Sequence, residues 1–303
     1  MSESGGRQQA ELAEPAGRAS TASEPSALTT YVPGRTLPVR VELVRQLRRR
    51  RTQIVFGLVV ALPVILWIAF TLAPAGPPSN SVSLVDLAKG SGGNFAVFAL
   101  FASASFLLVV VVALFFGDTV AAEASWSSLR YLLAAPVPRS RLVRQKAIVA
   151  AMLSVAAILL LPIVALVVGA LAYGTGDLVS PTGESLTFLQ GAGRVLLGAV
   201  YLAIYLSWTA ALALLLSVST DAPLGAVGGA VLVSILSQIL NQITALEGLR
   251  DYLPTHYGNA WSDLLATQIN WGDMTRGVFS AFCYAAVFSV LAIWRFARKD
   301  VTS

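Results

Sequence analysis

Six apolar runs constrain this chain more than any other feature. They cover residues 52–72, 94–117, 147–172, 194–217, 222–245 and 277–294, each with about the twenty residues that a helix needs to cross ~30 Å of hydrocarbon. Within lipid a spanning segment must satisfy its own backbone N–H and C=O groups, and unbroken runs of this length do so as helices. Hydrophobic residues make up 56% of the chain and charged residues 12%, against about 25% charged in soluble domains. The expected fold class is an all-α integral membrane protein with six transmembrane helices. Pro63 and Pro162 fall inside the first and third runs, where kinks are tolerated.

Six crossings leave both ends of the chain on one side. Arg40, Arg45, Arg48 to Arg51, Arg130, Arg139, Arg141, Arg144, Lys146, Arg295, Arg298 and Lys299 share that side, against Lys89, Arg194, Arg250 and Arg276 on the other. The asymmetry predicts that the termini and the interval 118–146 are cytoplasmic, in a multi-pass protein of the plasma (inner) membrane. It also accounts for the net charge of +5, since the basic residues flank spans instead of forming a patch; the lipid bilayer is expected as a partner and nucleic acid is not. Residues 1–35, rich in Ser, Ala, Glu, Gly and Pro, read as a disordered cytoplasmic tail. They lack the basic start and apolar core of a signal peptide. From Leu37 onward, Pro38 suits a first helical turn, Leu43, Val44 and Leu47 share a face, and arginines follow, as in a helix lying on the membrane surface.

The interval 118–146 is the longest polar stretch between two spans on the basic side. From Ser125 to Leu133 it can start a short helix, with Ser125 or Ser127 as N-cap and Leu129, Leu132 and Leu133 as an i, i+3, i+4 stripe. Pro136 and Pro138 end it. Between two spans, such a helix rests on the membrane surface with one face open to a soluble partner. The order and spacing of Glu123, Ser128-Leu129, Leu132-Leu133, Pro136-Val137, Arg139 and Lys146 resemble the loop between the second and third spans of ABC-2 type transporter permeases. Ser127 stands where that family usually has glycine, and Gln145 where a small residue is common.

The resemblance implies that residues 36–299 form an ABC-2 type transmembrane domain and that the loop carries the coupling helix. It further implies a cytoplasmic ABC ATPase as a separate chain, a second permease subunit in a homodimer or heterodimer, and export of a drug-like, lipid or other amphipathic substrate. The segment 246–276 contains Leu249, Tyr252, Leu253, Trp261, Leu264, Leu265, Ile269 and Trp271. It is too apolar for a plain solvated loop and too broken for a span, which suits short helices dipping partway into the membrane. ABC-2 permeases carry a re-entrant pair at that place; an aromatic surface loop is the other reading. The alternative for the whole chain is a multispan channel or membrane assembly protein without an ATPase.

Nothing in the sequence points to catalysis. No Asp, Glu, Lys, Arg or His lies in the central part of any run, which disfavours a proton-coupled mechanism. Cys283 is alone, and His256 has no companion ligand nearby in sequence, so no metal site is expected. The three lysines are followed by Gly, Ala and Asp, so the chain has no phosphate-binding Gly-Lys-Ser/Thr loop. No cofactor is expected on this chain; ATP and Mg are expected on the partner ATPase. In the fifth run Ser234, Ser237, Gln238, Asn241 and Gln242 recur at helical spacing, and Tyr201, Tyr205 and Trp208 form a second set in the fourth. Polar side chains at this depth face protein or a cavity. The stripe therefore suits hydrogen bonding at a helix or subunit interface, or a translocation pathway.

Overall fold

The computed structural model describes residues 39–72, 84–125, 139–180 and 183–298. Ten α-helices appear among them: α1 (Val39–Leu47), α2 (Arg50–Leu72), α3 (Leu84–Gly90), α4 (Gly92–Ala104), α5 (Leu107–Ser125), α6 (Arg139–Tyr173), α7 (Phe188–Tyr205), α8 (Ser207–Ser219), α9 (Pro223–Gln242) and α10 (Gly272–Arg298). Five stretches are long and apolar enough to cross a membrane: α2, α6, α7 with α8, α9 and α10; the bent pair α4 and α5 makes a sixth if it counts as one span. The only strands among the described residues are Leu178–Val179 and Ser185–Leu186, a small antiparallel hairpin between α6 and α7.

Helix α8 is the centre of the packing. Trp208 to Leu214, Ser217 and Val218 are all buried, with α5, α9 and α10 packed around them. Across Phe188–Ser219, 67% of the most apolar window is buried, against 17% for Arg50–Leu72 and for Gly272–Arg298. The outer helices accordingly present large apolar side chains outward, among them Ile54 and Ile65 on α2, Leu232 and Leu236 on α9, and Phe279 and Val290 on α10. Such outward apolar faces suit lipid.

Local chemistry sets several boundaries. Ser91 caps α4 by accepting from the Asn94 N–H at 3.2 Å, and Pro223 opens α9 in the first turn, where its missing N–H costs no helical bond. Asn94 then joins three elements: its amide donates to Leu87 O and accepts from the Val179 N–H of the hairpin. Proline inside α2 and α6 is accommodated without ending either helix. At 35 residues and ~1.5 Å per residue, α6 exceeds the hydrocarbon thickness, and its basic first turns extend beyond the apolar stretch that begins at residue 147.

The structure departs from the sequence reading in several places. The run 94–117 is not one straight helix: it breaks at Ser105 and Phe106 with a bend of 53°. The run 194–217 is likewise divided, with α7 ending at Tyr205 and α8 starting at Ser207, while the short helices expected before the last span are two 3-10 stretches, Thr244–Tyr252 and Ala260–Leu265. Finally, the apolar face expected on α1 divides: Leu43 packs on the core, while Val44 and Leu47 remain exposed.

Candidate functional site

The break between α4 and α5 has a local cause. Ser103 Oγ donates back to Ala99 O at 2.7 Å, with Leu100 O at 3.1 Å, a competition with the helical ladder that bends helices. Two residues on, the carbonyl of Ser105 is taken by a side chain from another helix: Gln238 Nε2 of α9 donates to it at 2.7 Å. The break is thus stabilised by the polar stripe of α9.

The rest of that stripe divides by function. Ser234 is fully buried and donates to Ala230 O of its own helix. Ser237 is tied to Thr255, oxygen to oxygen, at 2.7 Å. Asn241 Oδ1 accepts from His256 Nδ1 at 2.8 Å. Across the ring, His256 Nε2 lies 3.3 Å from Asp251 Oδ1, a contact that attracts only when Nε2 also carries a proton. The stripe thereby anchors the segment that follows α9.

Between the break, α7, α8 and that segment lies a polar pocket of about 90 Å³. Ser105, Tyr205, Gln238, Asn241, Gln242 and His256 line it, together with Trp208. Five of the residues picked out in the sequence, Tyr205, Trp208, Gln238, Asn241 and Gln242, therefore meet at one cavity, whereas Ser234 does not reach it. Trp208 is buried without a well-formed hydrogen bond for its indole N–H, beside the Tyr205 hydroxyl. The rings of Tyr201 and Tyr205 stack at 5.9 Å, and the Tyr201 hydroxyl donates to Tyr257 O at 2.8 Å. Tyr201 itself lines an apolar groove of about 480 Å³ between α7 and α10, together with Val200, Ile204, Val278 and Phe279 among others.

Packing holds the 3-10 segment against α7 as a wall of this site. Trp261 is fully buried, with its ring 4.4 Å from that of Phe101. Arg194 Nη1 donates to Leu264 O at 2.9 Å and also to Ala266 O. Thr267 donates through both its backbone N–H and its hydroxyl to the Glu184 carboxylate. Those two bonds hold the Glu184 carboxyl below its ordinary range.

At the opposite end of α5 an ionic cluster joins four helices. Arg49 and Arg51 pair with Asp118, Arg49 at 3.5 Å. Ser217 Oγ of α8 accepts from the Val120 and Ala121 N–H groups at 3.0 and 3.1 Å. Lys146, only 5% exposed, lies 3.6 Å from Glu42 on α1, and Glu42 also accepts from Arg45 and Gln46 at 2.9 and 3.0 Å. Burial raises the Glu42 pKa, but Lys146, Arg45 and Gln46 together outweigh it and hold the carboxyl below its ordinary value.

The remaining residues singled out in the loop are placed less fully. Glu123 lies in the last turn of α5 and Arg139 opens α6. Ser128, Leu129, Leu132, Leu133 and Pro136 fall outside the described residues. Ser125 is the final residue of α5.

Sequence reasoning missed Ser105, Thr255 and His256 as site residues. Ser103 and Ser105, close together in an otherwise apolar run, were the available signal for the break. His256 had none, because its partners Asp251 and Asn241 are recognisable only once the 3-10 segment folds back.

The fold and this site define a multi-helix protein of membrane-spanning character, with a broken helix facing a polar pocket. Within that class the chain belongs to the family described as protein of unknown function (DUF2705), whose model matches residues 58–302. No curated protein matches it.

Proposed function

We propose that this chain is the permease subunit of an ATP-driven exporter of the ABC-2 type, working in the plasma (inner) membrane with both termini cytoplasmic. Two copies, or this chain and a related one, form the translocating unit, and a separate cytoplasmic ATPase supplies the energy. The observation that carries the reading is the 118–146 interval, whose residues from Glu123 to Lys146 match the order and spacing of the family's coupling loop. Its surroundings support it. The loop leaves α5 and enters α6, and its flanks are braced to α1 and α2 by the Glu42–Lys146 and Asp118–Arg51 pairs. A push on residues 126–138 would therefore reach α5, and α5 leads to the break at the polar pocket. Counting α4 and α5 as one span gives the six crossings that this topology requires.

Transport then follows from differential binding: ATP-driven closure of the ATPase pair shifts the loop, and the pocket residues Tyr205, Gln238, Asn241 and Gln242 meet the substrate in one state more favourably than in the other. The test is at the loop. Aspartate at Leu129 and Leu132 should abolish co-purification of the ATPase while membrane levels of the chain stay normal. Unchanged yield of the complex from those variants would overturn the assignment.

A further inference from the structure

We propose that the pocket at the broken helix is a binding site for a small positively charged group, either the ammonium end of a substrate or a free monovalent cation. The first reason is the backbone. Helix α4 ends at Ala104, at the edge of the pocket. A helix C-terminus carries a partial negative charge and carbonyls without helical partners. Discontinuous membrane helices use such ends to hold cations.

The side chains point the same way. Gln238 gives its amide N–H to Ser105 O, which leaves its oxygen as the acceptor end, and Asn241, Gln242 and Thr255 add further oxygens to the lining. No lysine or arginine lines the pocket; the imidazole of His256 does line it, bonded through Nδ1 to Asn241. Tyr205 and Trp208 supply aromatic rings of the kind that attract ammonium groups. An anion would find no lysine or arginine among these groups, although the first turn of α5, at Val109, also reaches the lining. The donors are neutral oxygens, and among the described residues no cluster of three His, Cys, Asp or Glu exists to hold a metal ion, so a transition metal is a poor fit.

Size sets the limit on the ligand. A cavity of about 90 Å³ has room for roughly three waters at the ~30 Å³ each takes in the liquid, enough for an ammonium head of a few heavy atoms but not for a whole drug-like molecule. As a statement about the transported substrate, this inference rests on the exporter reading; as a statement about binding, it is tested on the permease chain alone.

The experiment measures thermal unfolding of the purified full-length chain in maltoside detergent, without any ATPase. Choline, sodium and potassium chlorides are titrated at constant ionic strength, with 3,3-dimethylbutanol as the neutral isostere of choline. A saturable rise in melting temperature with choline but not with its isostere identifies an ammonium group. A saturable rise with sodium or potassium but not choline identifies a free cation. In either case Gln238→Leu should weaken the apparent affinity about tenfold, equivalent to ~1.4 kcal/mol. Gln242→Glu, which adds a carboxylate to the lining, should strengthen it by a similar factor and covers the event that Gln238→Leu fails to fold. An equal response to all three salts, an equal response to the isostere, or affinities unmoved by Gln242→Glu would overturn the proposal. Loss of ATPase co-purification bears only on the exporter reading, so the two fail separately.

Discussion

At Gly92 the backbones of α4 and α6 come so close that no side chain fits between them. A Cβ there would stand 2.5 Å from Ala170 N and 2.7 Å from the Gly169 carbonyl carbon, and one on Gly169 would stand 2.7 Å from Gly92 O. These neighbours are backbone atoms, which move only with the helix. Gly92→Ala should therefore destabilise the protein by about 1–3 kcal/mol, the range for overpacking, while Gly228→Ala, with open space around it, should be nearly neutral; melting temperatures of the two variants make the comparison. Glu42 provides the second residue-scale test. Its carboxyl is held below the ordinary value by Lys146, Arg45 and Gln46 against the opposing effect of burial. Because the folded value is the lower one, this stabilisation is complete above the ordinary carboxylate range, near pH 4.3, and is lost as pH falls through the depressed folded value. Glu42→Gln should lower the melting temperature at neutral pH by roughly 3 °C or more and flatten its decline in acid. A wild-type acid slope unchanged in the variant would show that Glu42 does not contribute to it.

At the scale of elements, the broken helix and the segment after α9 act as one assembly, joined through Gln238, Ser237 and Asn241. Ser237 separates holding from binding, because it bonds Thr255 and does not line the pocket. Ser237→Ala should cost on the order of 0.6–1.7 kcal/mol, the range for hydrogen bonds between membrane helices, and leave ligand affinity unchanged. A shift in affinity as large as that of Gln238→Leu would mean that the segment, and not the lining, controls the site. Most helices were legible in the sequence because hydrophobicity over twenty residues is a property of composition: α2, α6 and α10 each contain the run that announced them, and α9 lies within its own. The break in the second run was not, since α4 and α5 are equally apolar and the bend depends on the Ser103 side chain, the Ser105 carbonyl and a glutamine 133 residues away. Likewise, the aromatic segment 246–276 was recognisable as too apolar for a plain solvated loop, but its 3-10 form depends on Arg194 and Gly198, which receive Leu264 and Trp261 from another part of the chain.

For the whole molecule, the polar stripe of α9 was readable from spacing, and three of its five residues, Gln238, Asn241 and Gln242, gather at the pocket with Tyr205. Their surroundings were not readable, because Ser105 and His256 come to them through tertiary folding alone. The two ends of the molecule have different characters: one is knit by ion pairs between α1, α2, α5 and α6, the other by aromatic packing and the hairpin. Helix α5 joins the ionic end to the polar pocket. That arrangement suits a machine driven from one end, and the central claim is that ATP hydrolysis by a partner chain drives it. The most direct measurement is to purify the full-length chain from its native membranes in mild detergent and assay the preparation for ATP hydrolysis. The expected result is an ABC-type ATPase in equal amount with this chain and vanadate-sensitive hydrolysis that disappears from the Leu129→Asp, Leu132→Asp preparation. A chain that purifies intact and folded, yet without an ATPase or hydrolysis above background, would contradict it.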